Sequence, residues 1–323
     1  MDSFGRITDY LRISVTDQCN ERCLYCRPKD YSGCSLKSNQ LTANNIVRIV
    51  QMAASIGFRK FRLTGGEPLV RSDLLDIIKR MSGIPGADHI GLSTNGLQLC
   101  KQAQCLRDAG LKTVNISLDA LQPDIYQRIT GGDLGLVLDG IRAAVAARFE
   151  QIKLNCVLLR GINEKEIWPL VLFAGEHGLP LRLIELMPIS TTSGWVEKSF
   201  MPVTEAMEIL RSKDEPIPQP NWRLGHGPAK YYLLKHSGAR VGFIGAITNQ
   251  HHCAQCNKLR LTSDGKLRPC LGDNVEVDIR QALLDEKDDA LRILFASALN
   301  LKPFHHTFCH RYLPCRPMTA MGG

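Results

Sequence analysis

The sequence predicts an α/β fold: an open, partial (β/α)6 barrel of the TIM type, followed by a mixed C-terminal domain. Two observations carry this. Strand-like and helical stretches alternate through the first two-thirds of the chain, as parallel βαβ units do. Six such units fall short of a closed eightfold barrel, and the alternation breaks after Met187-Pro188. The boundary is therefore set near residue 190, giving segments 1–190 and 191–323.

Taken in order, the strands are expected at Leu11–Val15, Lys60–Leu63, Ile90–Ser93, Thr113–Leu118, Ile152–Leu158 and Leu181–Leu186. The helices between them are expected at Ala43–Ile56, Ser72–Met81, Lys101–Ala109, Gly135–Ala147 and Lys165–Glu176. Side chains alternate sides along a strand, so Arg12, Ser14 and Thr16 oppose Leu11, Ile13 and Val15. Lys60, Arg62 and Thr64 oppose Phe61 and Leu63 in the same way, and Asn115, Ser117 and Asp119 oppose Val114, Ile116 and Leu118. A packed barrel interior is apolar, and burying unpaired charge is costly. A polar, cationic inner face therefore implies a lumen that holds an anionic ligand. Beyond the boundary, Pro216-Ile217-Pro218-Gln219-Pro220 reads as a loop, and Tyr231–Lys235 and Arg240–Ile244 as antiparallel strands around Ser237-Gly238. A hairpin follows at Leu261–Leu267, then helices at Ile279–Leu284 and Ala290–Ser297.

The cysteines point to metal chemistry. Cys19, Cys23 and Cys26 form CxxxCxxC on the loop leaving the first strand, and Cys253, Cys256 and Cys270 form CxxC-x13-C near the other end. A closed zinc site wants four ligands and a fully protein-ligated cubane wants four cysteines. Three leave a position open for a reacting ligand. Two incomplete triads read as two iron–sulfur clusters, each with an open iron, the second carried by the C-terminal domain. A Cys3His zinc site with His251 or His252 is the alternative for the second triad.

Composition narrows the classes. The 323 residues are 44% hydrophobic and 22% charged, without an apolar run long enough to span a bilayer. Twelve cysteines without a secretion signal point to a reducing, cytoplasmic setting and away from a disulfide framework. The net charge of +8 favours an anionic partner, nucleic acid or polyphosphate.

Polar turns stand at three strand ends: Thr64-Gly65-Gly66-Glu67-Pro68, Ser93-Thr94-Asn95-Gly96 and Ser117-Leu118-Asp119-Ala120. Barrel ligand sites are built on such loops, although each alone is also an ordinary turn before a helix. Together with CxxxCxxC they resemble the radical S-adenosylmethionine (SAM) superfamily. Leu11–Asp17, Phe61–Pro68, Ser117–Leu121, Ile184–Pro188, Gly225–Ala229, Cys253–Leu261 and the Gly322-Gly323 tail make the chain similar, over essentially its whole length, to the GTP 3′,8-cyclase family within it.

That resemblance implies a [4Fe-4S] cluster on Cys19, Cys23 and Cys26, and SAM contacts at Tyr25, Gly66, Ser117 and Met187. It implies GTP contacts at Arg12, Arg62, Ser93 and Lys153, with Lys60 and Arg182 around the triphosphate and Lys258, Leu259 and Arg260 also facing substrate. Cys253, Cys256 and Cys270 would hold a second [4Fe-4S] cluster that meets the guanine base, and Arg260, Gly322 and Gly323 join the catalytic machinery. The implied chemistry is reductive cleavage of SAM, abstraction of the 3′ hydrogen of GTP by the 5′-deoxyadenosyl radical, and ring closure on C8. This is the first step of molybdenum cofactor biosynthesis. The partners implied are GTP, SAM, a one-electron donor such as flavodoxin, the next enzyme of the molybdopterin pathway and a second copy in a homodimer, with no membrane and no nucleic acid.

Three positions depart from the family pattern. Lys258 stands where arginine is usual, keeping charge but not the planar two-pronged donor. Met321 replaces isoleucine before the terminal glycines, and Arg27 replaces methionine after Cys26. Cys156 alternates with Leu154 and Leu158 and reads as core, while Cys34, Cys100, Cys105, Cys309 and Cys315 fall in no pattern. His305 and His306 read either as groups that approach the substrate or as surface or satisfied polar groups, and the Gly-Gly tail by default as a frayed end. Two other readings remain at this level. One is a radical SAM peptide-modifying enzyme with an auxiliary cluster; the other is a zinc-dependent nucleic-acid-binding protein.

Overall fold

The structure, a computed structural model, describes residues 1–26, 40–189, 193–222, 224–249, 252–308, 312 and 314–322. The readings placed on Arg27, Cys34, His251, Cys309 and Gly323 lie outside the described residues. Six parallel strands form the centre of one sheet in chain order: β1 (Tyr10–Ser14), β2 (Lys60–Thr64), β3 (His89–Thr94), β4 (Thr113–Ser117), β5 (Gln151–Leu158) and β6 (Leu181–Glu185). Their outward residues, among them Leu11, Ile13, Phe61, Leu63, Val114 and Ile116, are almost fully buried under the helices. The sheet does not close on itself, as six units require.

The helices begin and end where local chemistry dictates. In α1 (Ala43–Ser55) the Thr42 hydroxyl accepts from the Asn45 amide and the Asn45 side chain accepts from the Thr42 amide, a reciprocal cap. Its Ile46, Ile49, Val50 and Ala53 then face the sheet. α2 (Leu74–Ser82) and α3 (Leu99–Asp108) follow β2 and β3. Two helices follow β4: α4 (Pro123–Thr130), which the sequence reading did not anticipate, stops at the left-handed Gly131, and α5 (Leu134–Ala147) is capped by Asp133. α6 (Ile167–Glu176) packs against β6. α7 (Ser193–Ser199) and α8 (Val203–Arg211) were also not anticipated.

Among the described residues, the C-terminal third builds no sheet of its own. It extends the central sheet at both edges. Beside β6 lie β9 (Arg240–Ile244), then β8 (Lys230–Leu234) and β7 (Pro216–Pro218). Beside β1 lie β10 (Lys258–Leu261), then β11 (Lys266–Arg268) and β12 (Val277–Asp278). The run beginning at Pro216, read as a loop, opens with a strand paired to Tyr232–Leu234. Prolines are tolerated there because β7 is the sheet's edge. The β10–β11 hairpin turns at Gly265, φ +85°, where a side chain would be strained. α9 (Arg280–Leu284) and α10 (Asp288–Asn300) close this edge, with Phe295 packed edge-on against Phe58 at 5.9 Å. Last comes α11 (Met318–Met321), whose Met321 is fully buried. The expected frayed end is thus a packed element through Gly322. Among the described residues, no helix is long and apolar enough to cross a membrane.

Candidate functional site

The inward faces of the strands surround a cavity of about 360 Å³, within the ~300–1,000 Å³ range of ligand sites. The strand register stacks its polar groups in rows. Arg12 lies beside Arg62 on one flank and Arg260 on the other, Asn115 lies between Ser93 and Lys153, and Asn155 lies between Ser117 and Arg182. All nine line the cavity.

At the carboxyl end of the strands, the loop carrying Cys19, Cys23 and Cys26 is laced to its neighbours by backbone. The Gly66 amide donates to the Thr16 carbonyl at 2.8 Å and the Glu67 amide to that of Gln18 at 2.7 Å. The approach is so close that a Cβ on Gly65 would lie 2.2 Å from the Thr16 oxygen, and one on Gly66 2.0 Å from the Gln18 oxygen. This is why the turn is glycine-rich. Glu67 accepts from the Thr94 hydroxyl at 2.6 Å and the amides of Asn95 and Leu69 at 2.7 and 3.0 Å, which joins the ends of β2 and β3. The Asn95 side chain donates to Asn20 at 2.8 Å, and the amides of Arg22 and Leu24 donate to Thr130 and Ile129 at the end of α4.

Acidic groups surround these thiols. Glu21 accepts from the Tyr126 hydroxyl at 2.9 Å and from the Cys23 thiol at 3.7 Å, and Asp119 accepts from the Tyr25 hydroxyl at 2.7 Å. Burial pushes Glu21 up to about 7 and Asp119 up to about 6. Burial and then Glu21 push the Cys23 thiol well above its ordinary value. Iron bound here would hold the thiols ionised.

The second triad occupies the opposite end of the same cavity. Because β10 runs parallel to β1, with Lys258 beside Tyr10, Cys253 and Cys256 precede the strand at its amino end. Cys270 follows β11, which runs back to that end. Lys302, 3% exposed, donates to the Cys256 sulfur at 3.5 Å, and the His306 amide donates to that of Cys253 at 3.4 Å. Burial raises the Cys256 thiol, but Lys302 and Lys258 outweigh it and bring it to about 7. Burial, then Lys258, lowers His252 to about 4. All six cysteines line the cavity, so the donor chemistry at both ends fits thiolate-ligated clusters. Among the described residues no three His, Cys, Asp or Glu side chains are gathered closely enough to hold a single metal ion. A polynuclear cluster is wider than an ion and asks for no such gathering.

Between the two ends the charges are of one sign. Burial and then Arg260 lower Arg12 to about 9. Arg182 falls to about 10 through burial, with Arg62 contributing, and Lys153 to about 6 through burial, Arg182 and Arg62. The Nε atoms of Arg12 and Arg182 and the side-chain oxygens of Asn115 and Asn155 are buried without a hydrogen-bond partner. Orphaned donors and acceptors of this kind are costly unless a ligand completes them. A polyphosphate carrying a base with both donors and acceptors would do so.

Two expected contacts lie elsewhere. Lys60 is outside the lining, its ammonium held by Asp9 at 2.7 Å. Leu259 turns to the outer face of β10 and is fully buried in the core, as alternation with Lys258 and Arg260 requires. Tyr25, Gly66 and Met187 line the cavity. Gly322 is brought in by the Arg260 guanidinium, which donates to its carbonyl. A Cβ there would meet Thr64 Cγ2 at 2.5 Å, and φ is +73°, so only glycine fits without displacement. Cys156 is core, and Cys100, Cys105 and Cys315 are exposed. His305 is exposed, but His306 lines the cavity and its Nε2 lies 2.7 Å from the Ala246 carbonyl. The sequence reading missed Asn155 and Lys302, and gave His226, inside the Gly225–Ala229 stretch, no role of its own. Asn155 follows from Lys153 by alternation, whereas His226 and Lys302 reach the site from loops that carry no such period.

Two family models divide the chain: the radical SAM superfamily over residues 13–174, and molybdenum cofactor synthesis C over residues 179–308. Proteins called GTP 3′,8-cyclase are similar along the whole chain. That of Pelotomaculum thermopropionicum is 42% identical over 324 residues, covering 100% of this chain and 99% of its own. That of Alkaliphilus metalliredigens is 41% identical over 327 residues with the same coverage. Among solved structures, SuiB of Streptococcus suis bound to its precursor peptide SuiA superposes with a TM-score of 0.64 at 15% identity. The match covers 88% of this chain and 65% of that one, and it shows likeness of fold alone.

Proposed function

This chain belongs to the GTP 3′,8-cyclase family of radical SAM enzymes, and from that premise we propose how its cavity divides the work of cyclising GTP to (8S)-3′,8-cyclo-7,8-dihydroguanosine 5′-triphosphate. The product opens molybdenum cofactor biosynthesis. The observation that carries the assignment of residues is one cavity with a thiol triad at each end and cations between, the Nε atoms of Arg12 and Arg182 among them buried without a partner.

Cys19, Cys23 and Cys26 would hold the first [4Fe-4S] cluster, and Cys253, Cys256 and Cys270 the second. When bound, the first cluster and SAM supply a 5′-deoxyadenosyl radical by one-electron cleavage. The residues of the chain bind, orient and exclude water. Tyr25, Gly66, Ser117 and Met187 border the first triad's end of the cavity and take SAM. Arg12, Arg62, Lys153 and Arg182 neutralise the triphosphate, with Ser93 beside them. Asn115 and Asn155 offer unpartnered oxygens to donors of the nucleotide. Lys258 and Arg260 hold the nucleotide at the second triad's end, and Arg260 also fixes Gly322. Lys258 serves as a point charge where the family usually presents a guanidinium fork. Lys60 acts at one remove, through Asp9. The catalytic segment is 1–190, with 191–323 supplying the second cluster and the tail. The setting is cytoplasmic, with a flavodoxin-type electron donor, transfer of product to the next pathway enzyme, and a homodimer.

Anaerobic reconstitution followed by iron and sulfide quantitation, then dithionite, SAM and GTP with mass analysis of the nucleotides, tests this. Two cubanes, 5′-deoxyadenosine and a GTP isomer of unchanged mass are expected. Formation of 5′-deoxyadenosine without the isomer would reassign the substrate, and zinc without iron would sink the reading.

A further inference from the structure

Lys302 is a fourth group at the second thiol triad that the function as proposed does not use. It follows α10 and is 3% exposed. Its Nζ donates to the Lys258 carbonyl at 2.6 Å, the Pro269 carbonyl at 2.8 Å and the Cys256 sulfur at 3.5 Å. An ammonium has three N–H donors and no acceptor, so all three are spent here. The two carbonyls are chosen by position. Lys258 stands two residues after Cys256, and Pro269 stands immediately before Cys270. One side chain therefore ties together the two segments that carry these cysteines. None of its three partners is a carboxylate. A buried ammonium without an anion facing it is unfavourable, and the anion that this site offers is a thiolate-ligated centre.

We infer that Lys302 is a positioning residue for the second cluster, fixing the Cys256 and Cys270 segments to one another and raising the cluster's reduction potential through its charge and its N–H···S bond. Net charge and hydrogen bonds to sulfur are the levers by which a protein sets such potentials, and Lys302 supplies both. This rests on the reading of Cys253, Cys256 and Cys270 as cluster ligands. A lysine that merely tied two loops together would leave the potential where it is.

The test uses the full-length chain with Cys19, Cys23 and Cys26 replaced by alanine, so that iron enters the second site alone. Redox titration followed by electron paramagnetic resonance is run on this parent, on Lys302→Met and on Lys302→Arg. Lys302→Met is expected to lower the equilibrium constant for one-electron reduction at least tenfold, a shift of about 59 mV to more negative potential, while Lys302→Arg stays near the parent. An unmoved potential in Lys302→Met overturns the inference. Should Lys302→Met take no iron, Lys302→Arg decides: iron at the parental potential supports the charge role, and its loss overturns it. A parent that takes no iron would instead overturn the cluster reading itself.

Discussion

Buried to 2% exposure near Arg62 and Arg182, Lys153 holds the cavity's electrostatics in one side chain. Burial and those two cations bring its pKa from 10.5 to about 6. Between those values the unfolded chain binds the proton that the folded chain has lost. This group's contribution to stability therefore rises with pH from about 6 upward and is least favourable in acid. A triphosphate opposite it restores the ammonium, so GTP binding near pH 8 is expected to take up a proton. Calorimetry in buffers of contrasting ionisation enthalpy reads this uptake. Lys153→Met should abolish it and weaken GTP about tenfold or more, as loss of a charged hydrogen bond does; binding without proton linkage in the parent would contradict the assignment. Gly66→Ala is the complementary test at the other cofactor. A Cβ placed 2.0 Å from the Gln18 carbonyl forces the thiol loop to move. The expected result is loss of iron from the first triad with the second retained, and about 1–3 kcal/mol of lost stability, checked by iron counts and thermal melts. Arg12 and Arg62 were legible in the sequence because strand alternation separates them from Leu11 and Phe61, whereas Lys153 came from the family resemblance alone. Lys60 obeys the same alternation but lies where Asp9 captures it, an interaction no local pattern announces.

At the scale of elements, the C-terminal turn of helix depends on a clasp of charges. Arg316 donates to both oxygens of Asp264 at 2.9 and 3.0 Å and pairs with Glu276 at 2.7 Å; Glu276 also pairs with the fully buried Arg268 at 2.9 Å. Beyond it, the Ser14 hydroxyl donates to the Thr319 carbonyl and the Ser263 amide to that of Ala320, both at 3.4 Å. Arg316→Ala is expected to free the tail, with faster trimming by carboxypeptidase and a GTP KM raised about tenfold, as loss of a charged hydrogen bond predicts. SAM binding should be unchanged; an equal loss of SAM and GTP binding would mean that the clasp supports the whole cavity. The strands and long helices were readable because their apolar residues recur with period two or near four. α11 spans four residues, too few to show any period, and only tertiary contacts bury it. β7 was hidden by its prolines, which only an edge position tolerates.

Across the molecule, one hydrophobic core runs from Leu11 to Ala298 and includes residues of both matched families. The second segment caps both edges of the six-stranded centre, through β9 against β6 and β10 against β1. A chain ending at residue 190 would leave both edges bare, and exposed edges invite pairing with other chains. Such a fragment is expected to elute as aggregate on size exclusion. A monodisperse fragment with a cooperative melt would show that the first segment is a domain in the folding sense. The placement of β10 also has a consequence in time. The neighbour of the first strand, β10 (Lys258–Leu261), is synthesised long after it. At ~5–20 residues per second, the loop of Cys19, Cys23 and Cys26 waits roughly 10–50 s beside an open flank before β10 arrives. A ribosome-held chain stopped ahead of β10 is therefore expected to accept iron at this loop faster than the finished apoprotein, and equal rates would refute that order. On that order, the flank that β10 covers in the finished chain would serve, during synthesis, as the way in for iron.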